Sequence, residues 1–290
     1  MQYFSMDIFE YTFFQNAIVG VLLVSLASAI VGTYIVARRM VFISGGITHA
    51  CFGGLGLGYF LGMNPIAMAA VFAVASALGV ELMSARGKIR EDSAIAVVWA
   101  LGMAVGTLFI FLSPGYVPEL TSFLFGNILT ITSTDIVAFA IYAVVLIATM
   151  ALLYHRIIAC AFDSDFMRTQ HAPVTAINCL MTVLVALCIV LTIRLIGIML
   201  LMSLITMPQM VAELFTSRFN RIMAASVVVS VFCSICGLFI AYALNVPASS
   251  TIVIVLIMVY CMARMAVAVC RHLRKTSPAC HNNSGTDTFK

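Results

Sequence analysis

The 290-residue sequence is 63% hydrophobic and 9% charged, with a mean hydropathy of +1.14. A soluble domain is about half apolar and about a quarter charged, so this composition excludes a soluble globular protein and points to a polytopic membrane protein. The net charge of +4 arises from short basic clusters between apolar segments, which excludes the continuous basic face of a nucleic-acid-binding protein.

A membrane-spanning helix needs about 20 apolar residues, so length counts spans here rather than soluble domains. Nine apolar segments are read in chain order, at 12–36, 46–62, 65–84, 93–113, 134–154, 174–193, 195–215, 222–244 and 249–270. Each is expected to be helical, because an open sheet edge leaves backbone groups unsatisfied in lipid. The expected fold is all-α, with about nine transmembrane helices and a range of eight to ten. Residues 1–270 form the transmembrane domain and 271–290 a polar tail. The start, MQYFSMDIFEY, has no basic region and no small-residue cleavage site. The first span is expected to serve as its own insertion signal.

The second segment follows Arg38, Arg39 and Met40 and carries a lone histidine, His49. At helical spacing its neighbours Gly45, Gly53 and Gly56 are all glycine, and Gly46, Ala50, Gly54, Gly58 and Gly62 form a second row of small residues. Such rows let membrane helices approach closely, which accounts for the glycines but not for the imidazole. A polar group within a span faces a bundle interior or an aqueous path. Two readings of His49 stand: contact with a metal ion, or a hydrogen-bonded structural role.

Glu81 lies toward the end of the third segment and Glu213 toward the end of the seventh. Either they pair with Arg86, Arg218 or Arg221, or they form an exit-side cation site. Glu119 and Asp135 bracket LTSFLFGNILTITST, where an acid attracts a cation or is simply solvated. The loop 154–174 is long for a membrane protein. In it Phe162, Phe166 and Met167 are apolar at i, i+4 and i+5, while Asp163, Asp165 and Arg168 are polar. That pattern predicts a short amphipathic helix, suited to an interface or to a docking partner. The seventh segment carries Met199, Met202, Met207 and Met210, which supply soft sulfur or ordinary packing. Pro208 interrupts it; in transporters broken helices line substrate sites, so Pro208 is a candidate gate hinge. Cys179, Cys188, Cys233, Cys236 and Cys261 read as small buried hydrophobes, the Cys233–Cys236 spacing included. Cys280 and His281 in the tail make at most a two-ligand metal site.

All but Arg194 and Arg264 of the 15 Lys and Arg fall in loops on one side of the predicted membrane plane. The positive-inside rule makes that side cytoplasmic, with the N-terminus outside and the C-terminus inside.

In order and spacing these segments resemble the membrane permease subunit of zinc/manganese/iron ABC importers. The likeness rests on the basic pair, Met40, His49 and the glycine-rich helix, then on GKIREDSAIAVVWALGMAVG (87–106), FLFGNIL (123–129), IGIMLLMSLITMPQM (196–210) and NVPASSTIVIV (245–255). The resemblance implies that His49 lies on the metal path, with Thr48 beside it where serine is usual; Glu213 stays a candidate on its position alone. Where the family often has aspartate, this chain has Gly45, so a charged ligand is missing. The resemblance also implies that 160–173, with Phe162, Asp163, Phe166, Met167, Arg168 and His171, is the coupling helix that enters a groove on an ATPase. Here Ser164 stands for proline, Met167 for alanine and His171 for glycine.

The implied protein is an inner-membrane permease of a bacterium, a homodimer with the path between subunits. It is served by two cytoplasmic ATPase subunits and an external metal-binding protein. The metal is its substrate, and no cofactor is held permanently. The chain has no G-x-x-x-x-G-K-[ST] of its own, nor an H-E-x-x-H or G-x-S-x-G that would mark an intramembrane enzyme. Two alternatives remain at this level. A siderophore or vitamin permease needs a wider cavity; an ion-coupled secondary transporter needs mid-membrane acids and inverted repeats.

Overall fold

Apolar segments of this length satisfy their backbone in lipid by coiling into helices, and the computed structural model, which describes residues 12–85, 89–113 and 131–276, has only helices and turns among those residues. The helices are α1 Thr12–Ala37, α2 Val41–Leu61, α3 Pro65–Ala85, α4 Glu91–Leu112, α5 Ser133–Phe162, α6 Ser164–Thr169, α7 Val174–Ile196, α8 Ile198–Glu213, α9 Phe219–Leu244 and α10 Ala248–Thr276. The all-α expectation holds. Eight of these helices are long and apolar enough to cross a membrane. The remaining apolar helix, α8, has 16 residues and is about 24 Å long, short of a hydrocarbon core of about 30 Å.

Two boundaries differ from the sequence reading. The interruption expected at Pro208 lies instead at Gly197, a single residue between α7 and α8 with φ 80° and ψ 172°. A left-handed φ is cheap only for glycine, which explains why the chain breaks there. Pro208 sits inside a continuous α8; the ring removes one intrahelical hydrogen bond without ending the helix. The second difference is α5, whose 30 residues carry the helix past Tyr154 to Phe162, about 45 Å in all. Much of the expected loop is therefore helix. Asp7, Glu10, Arg86, Lys88, Glu119, the segment 123–129, Cys280 and His281 lie outside the described residues.

The most enclosed spans are α1, α2 and α7. Helix α2 packs on α3 and α4, and α1 packs on α5, α8 and α9. Apolar burial does not drive association in lipid, so close backbone contact must. A Cβ at Gly56 would strike the Gly106 backbone, one at Gly102 the Ala50 backbone, and one at Gly54 the Met68 and Ala69 backbone. Glycine thus sets the α2–α3 and α2–α4 spacing. Gly32 plays the same part where α1 meets Ile205 and Gln209 of α8.

The ends of the bundle are identified by their pairs. Arg38, after α1, reaches Glu81 at the end of α3 and Glu91 at the start of α4. At the other end Arg194 of α7 meets Asp135 of α5 at 3.4 Å, and Ser249 Oγ donates to the Ile196 carbonyl at 3.4 Å. Asp135 is also the N3 residue of a capping box with Thr132, so it is occupied in structure rather than left as a free acid.

Candidate functional site

Helix α2 starts at Val41, just after Arg39 in a left-handed turn (φ 58°) and Met40. Two turns on, the His49 imidazole lies flat against the Trp99 indole of α4, with centroids 4.4 Å apart and planes 4° from parallel. Phe52 stands one turn away with its ring centroid at 6.0 Å. The His49 Nδ1 atom is buried and has no hydrogen-bond partner among the described residues. Stacking fixes the plane of the ring and leaves that nitrogen unpaired. A buried polar atom without a partner is uncommon and calls for a cause. Thr48, beside it, is 1% exposed and donates through Oγ1 to Ser44 O at 2.6 Å. Its hydroxyl proton is thus spent on its own helix.

The glycines around His49 divide. A Cβ at Gly53 would meet the Phe72 ring, and Gly56 abuts Gly106; these are packing positions, not an open channel. Gly45 is different. A Cβ there would meet only the Met202 methyl at 3.3 Å and the Trp99 ring at 3.9 Å. Gly45, His49, Trp99 and Met202 therefore share one neighbourhood between α2, α4 and α8. Along α8, Met199 and Met210 are exposed, Met202 and Met207 partly so, and Pro208 is buried. Among the described residues no three His, Cys, Asp or Glu side chains cluster. Beside the His49 imidazole, the soft donor that this neighbourhood offers is the Met202 thioether. Trp99 is the chain's single tryptophan, a signal available in the sequence that the reading of candidate residues passed over.

Glu81 is 4% exposed and its ion-pair partner among the described residues is Arg38, at 3.3 Å, rather than Arg218 or Arg221. Arg38 also donates to Tyr34 Oη at 3.1 Å and reaches Glu91 at 3.5 Å. Thr182 Oγ1 of α7 lies 3.4 Å from Glu81 Oε2. This buried clasp joins α1, α3, α4 and α7, so Glu81 reads as structural. Glu213 is exposed and forms no ion pair among the described residues. It lines a cavity of about 350 Å³ with Arg39, Thr33, Phe162, Thr216 and Phe219.

The segment expected to dock a partner is two helices, not one. Helix α5 ends at Phe162; Asp163 breaks the chain at φ −146° and caps α6, its Oδ1 accepting from Phe166 N at 2.9 Å. Phe162 and Phe166 are 65% and 57% exposed, while Met167 packs against the core. The expected apolar face is therefore split, with the two phenyl rings outward and the thioether inward. Arg168 pairs with Asp165 at 3.7 Å on the surface. His171 ends the turn with φ 55°, a conformation that favours glycine.

A family model described as the ABC 3 transport family matches residues 10–267. The chain is 38% identical, over 87% of its length and 89% of the other's, to an uncharacterized membrane protein of Synechocystis sp.. It is 37% identical to a probable metal transport system membrane protein of Chlamydia pneumoniae, over 79% and 80% of the two chains. Among solved structures, a chain of PsaBC from Streptococcus pneumoniae, in complex with Fab, superposes with a TM-score of 0.79. That likeness has 24% identity and covers 93% of this chain and 98% of that one, and it bears on the fold.

Proposed function

This chain belongs to the ABC 3 transport family, and we propose that it is the permease subunit of an ATP-driven importer for a divalent transition metal: zinc, manganese or iron. The family match over residues 10–267 carries the reading, and the naming of the Chlamydia pneumoniae relative as a metal transport protein supports it. His49 supports it further, as an imidazole with an unpaired buried nitrogen on a helix whose neighbours are small.

In this reading residues 1–270 are the permease domain and 271–290 a cytoplasmic tail. The protein works as a homodimer in a bacterial cytoplasmic membrane, with the N-terminus outside. It is a transport subunit and not an enzyme. Two separate ATPase chains dock against 160–173, where Phe162 and Phe166 are exposed. An external metal-binding protein delivers the ion. His49 then offers one transient ligand. Import needs binding weak enough to release, and a site without a carboxylate at Gly45 meets that need. Pro208 lacks one helical hydrogen bond and serves as the flexible point of α8, while Glu213 stands near the exit.

The test is reconstitution in proteoliposomes with the partner ATPase and binding protein. ATP-dependent uptake of at least one of the three metals is expected, and it should fall in His49→Ala. Uptake that is independent of ATP, or absent for all three metals, overturns the proposal.

A further inference from the structure

A second polar region lies away from His49, where α1, α8 and α9 meet. Ser25 Oγ of α1 donates to Ser234 Oγ of α9 at 3.0 Å. This pair fixes the register of two antiparallel helices. One turn along from it, Ser230 comes level with Ser28, and two turns along Ser226 comes level with Gly32. Helix α8 enters at that level, since a Cβ on Gly32 would strike the Ile205 carbonyl and the Gln209 amide. The Gln209 side chain points back toward the start of its helix, as helical side chains do. Its Nε2 donates to Ser28 O at 3.4 Å and Ala29 O at 3.2 Å. Ser25, Ser28, Gln209, Ser226, Ser230 and Ser234 are all 0% exposed.

Four atoms of this set have no partner among the described residues: Ser28 Oγ, Gln209 Oε1, Ser226 Oγ and Ser230 Oγ. Small residues packed for close approach do not explain them, because alanine would pack as well without a polar atom to satisfy. We infer that the α1–α8–α9 seam holds buried water, bridging these three hydroxyls and the Gln209 carbonyl. A buried water is stable where about two to four polar groups converge on it, and this seam supplies them. The donor set also fixes the chemical class. Helices α1 and α9 carry no acid, and α8 carries only Glu213, which is exposed. Neutral oxygens with no counter-charge suit water rather than a cation. This inference does not depend on the transport reading.

Radiolytic hydroxyl labelling in lipid nanodiscs tests it, because buried water generates radicals beside side chains that bulk solvent does not reach. Labelling is read at single-residue level, at Ile205 of α8 and Leu146 of α5, both 0% exposed, so that the exposed methionines of α8 do not enter the comparison. Ile205 should label several-fold faster. The Ser226→Ala/Ser230→Ala double variant should bring it down to the Leu146 rate and should melt several degrees lower than wild type. Equal labelling of the two residues in wild type overturns the inference without any variant having to fold. A double variant that melts at or above wild type also overturns it, since a dry seam is relieved by losing unpaired hydroxyls. So does a melting temperature raised by sodium or potassium chloride but not by choline chloride at equal ionic strength, which would assign the seam to a cation.

Discussion

His49 and Trp99 lie face to face across the α2–α4 contact, 4.4 Å between centroids and 4° from parallel. The indole holds the imidazole in one plane and leaves Nδ1 buried and unpaired. Aromatic pairs of this kind contribute about 0.5–1.5 kcal/mol. Trp99→Leu should therefore lower metal uptake by roughly two- to tenfold through loss of ring orientation. Trp99→Phe should recover most of it. The check is initial uptake rate at matched expression, with His49→Ala as the reference for complete loss of the ligand. A wild-type rate in both Trp99→Leu and His49→Ala would remove this pair from the path.

The glycines of α2 should differ in tolerance. A Cβ at Gly45 meets a flexible methionine end and a ring edge, whereas one at Gly56 meets the backbone of Gly106. Gly45→Ala is expected to express and melt near wild type. Gly56→Ala should lose about 1–3 kcal/mol to overpacking, seen as a lower melting temperature and poor recovery from the membrane. Gly45→Asp should fold and shift metal preference, since it sets an anionic oxygen one turn from His49. Competition uptake among zinc, manganese and iron reads that shift; an unchanged order of preference counts against the site.

The two glutamates should behave in opposite ways. Glu81 is buried against Arg38, and removing one member of a buried pair typically costs about 3–5 kcal/mol. Glu81→Ala and Arg38→Ala should both melt far below wild type. Glu213 is exposed and has no ion pair among the described residues, so Glu213→Gln should leave the melting temperature unchanged. Its uptake rate then reports directly on any exit-side role.

Docking through the α5–α6 corner makes Phe166 the informative position, because it is exposed and its replacement disturbs no core contact. Phe166→Asp should insert normally, fail to co-purify with the ATPase and lose ATP-driven uptake. Met167→Asp should instead damage folding, because Met167 packs inward. Full recovery of the ATPase with Phe166→Asp would place the docking surface elsewhere.

Hydropathy was enough to place eight of the nine expected spans, because the requirement for intrahelical hydrogen bonding in lipid acts on every residue of a span. It misplaced the break in the seventh segment because two signals competed. Proline attracts attention as a helix breaker, yet it sits comfortably within α8, while Gly197 alone adopts the backbone angles that end α7. The His49 site was legible only in part. Local spacing exposed the histidine and its small neighbours, but the stacking of Trp99 joins residues fifty positions apart in the chain. The same limit applies to Glu81, whose partner Arg38 lies 43 residues away. Gln209 gave no signal at all beside Pro208, because its partners are backbone carbonyls of another helix.

Arg38 also has a history within the life of each molecule. In the proposed orientation it is among the first basic residues to leave the ribosome, and it helps hold the first loop on the cytoplasmic side. At that moment Glu81 and Glu91 have not yet been synthesised, so the guanidinium is a free cation. Once α3 and α4 are in place both carboxylates close on it. The same side chain thus orients the nascent chain while it is unpaired and locks the finished bundle after it is neutralised. An acid placed one turn before Arg38, at the end of α1, would pair with it too early, and the fault would appear as inverted topology rather than as a weak fold.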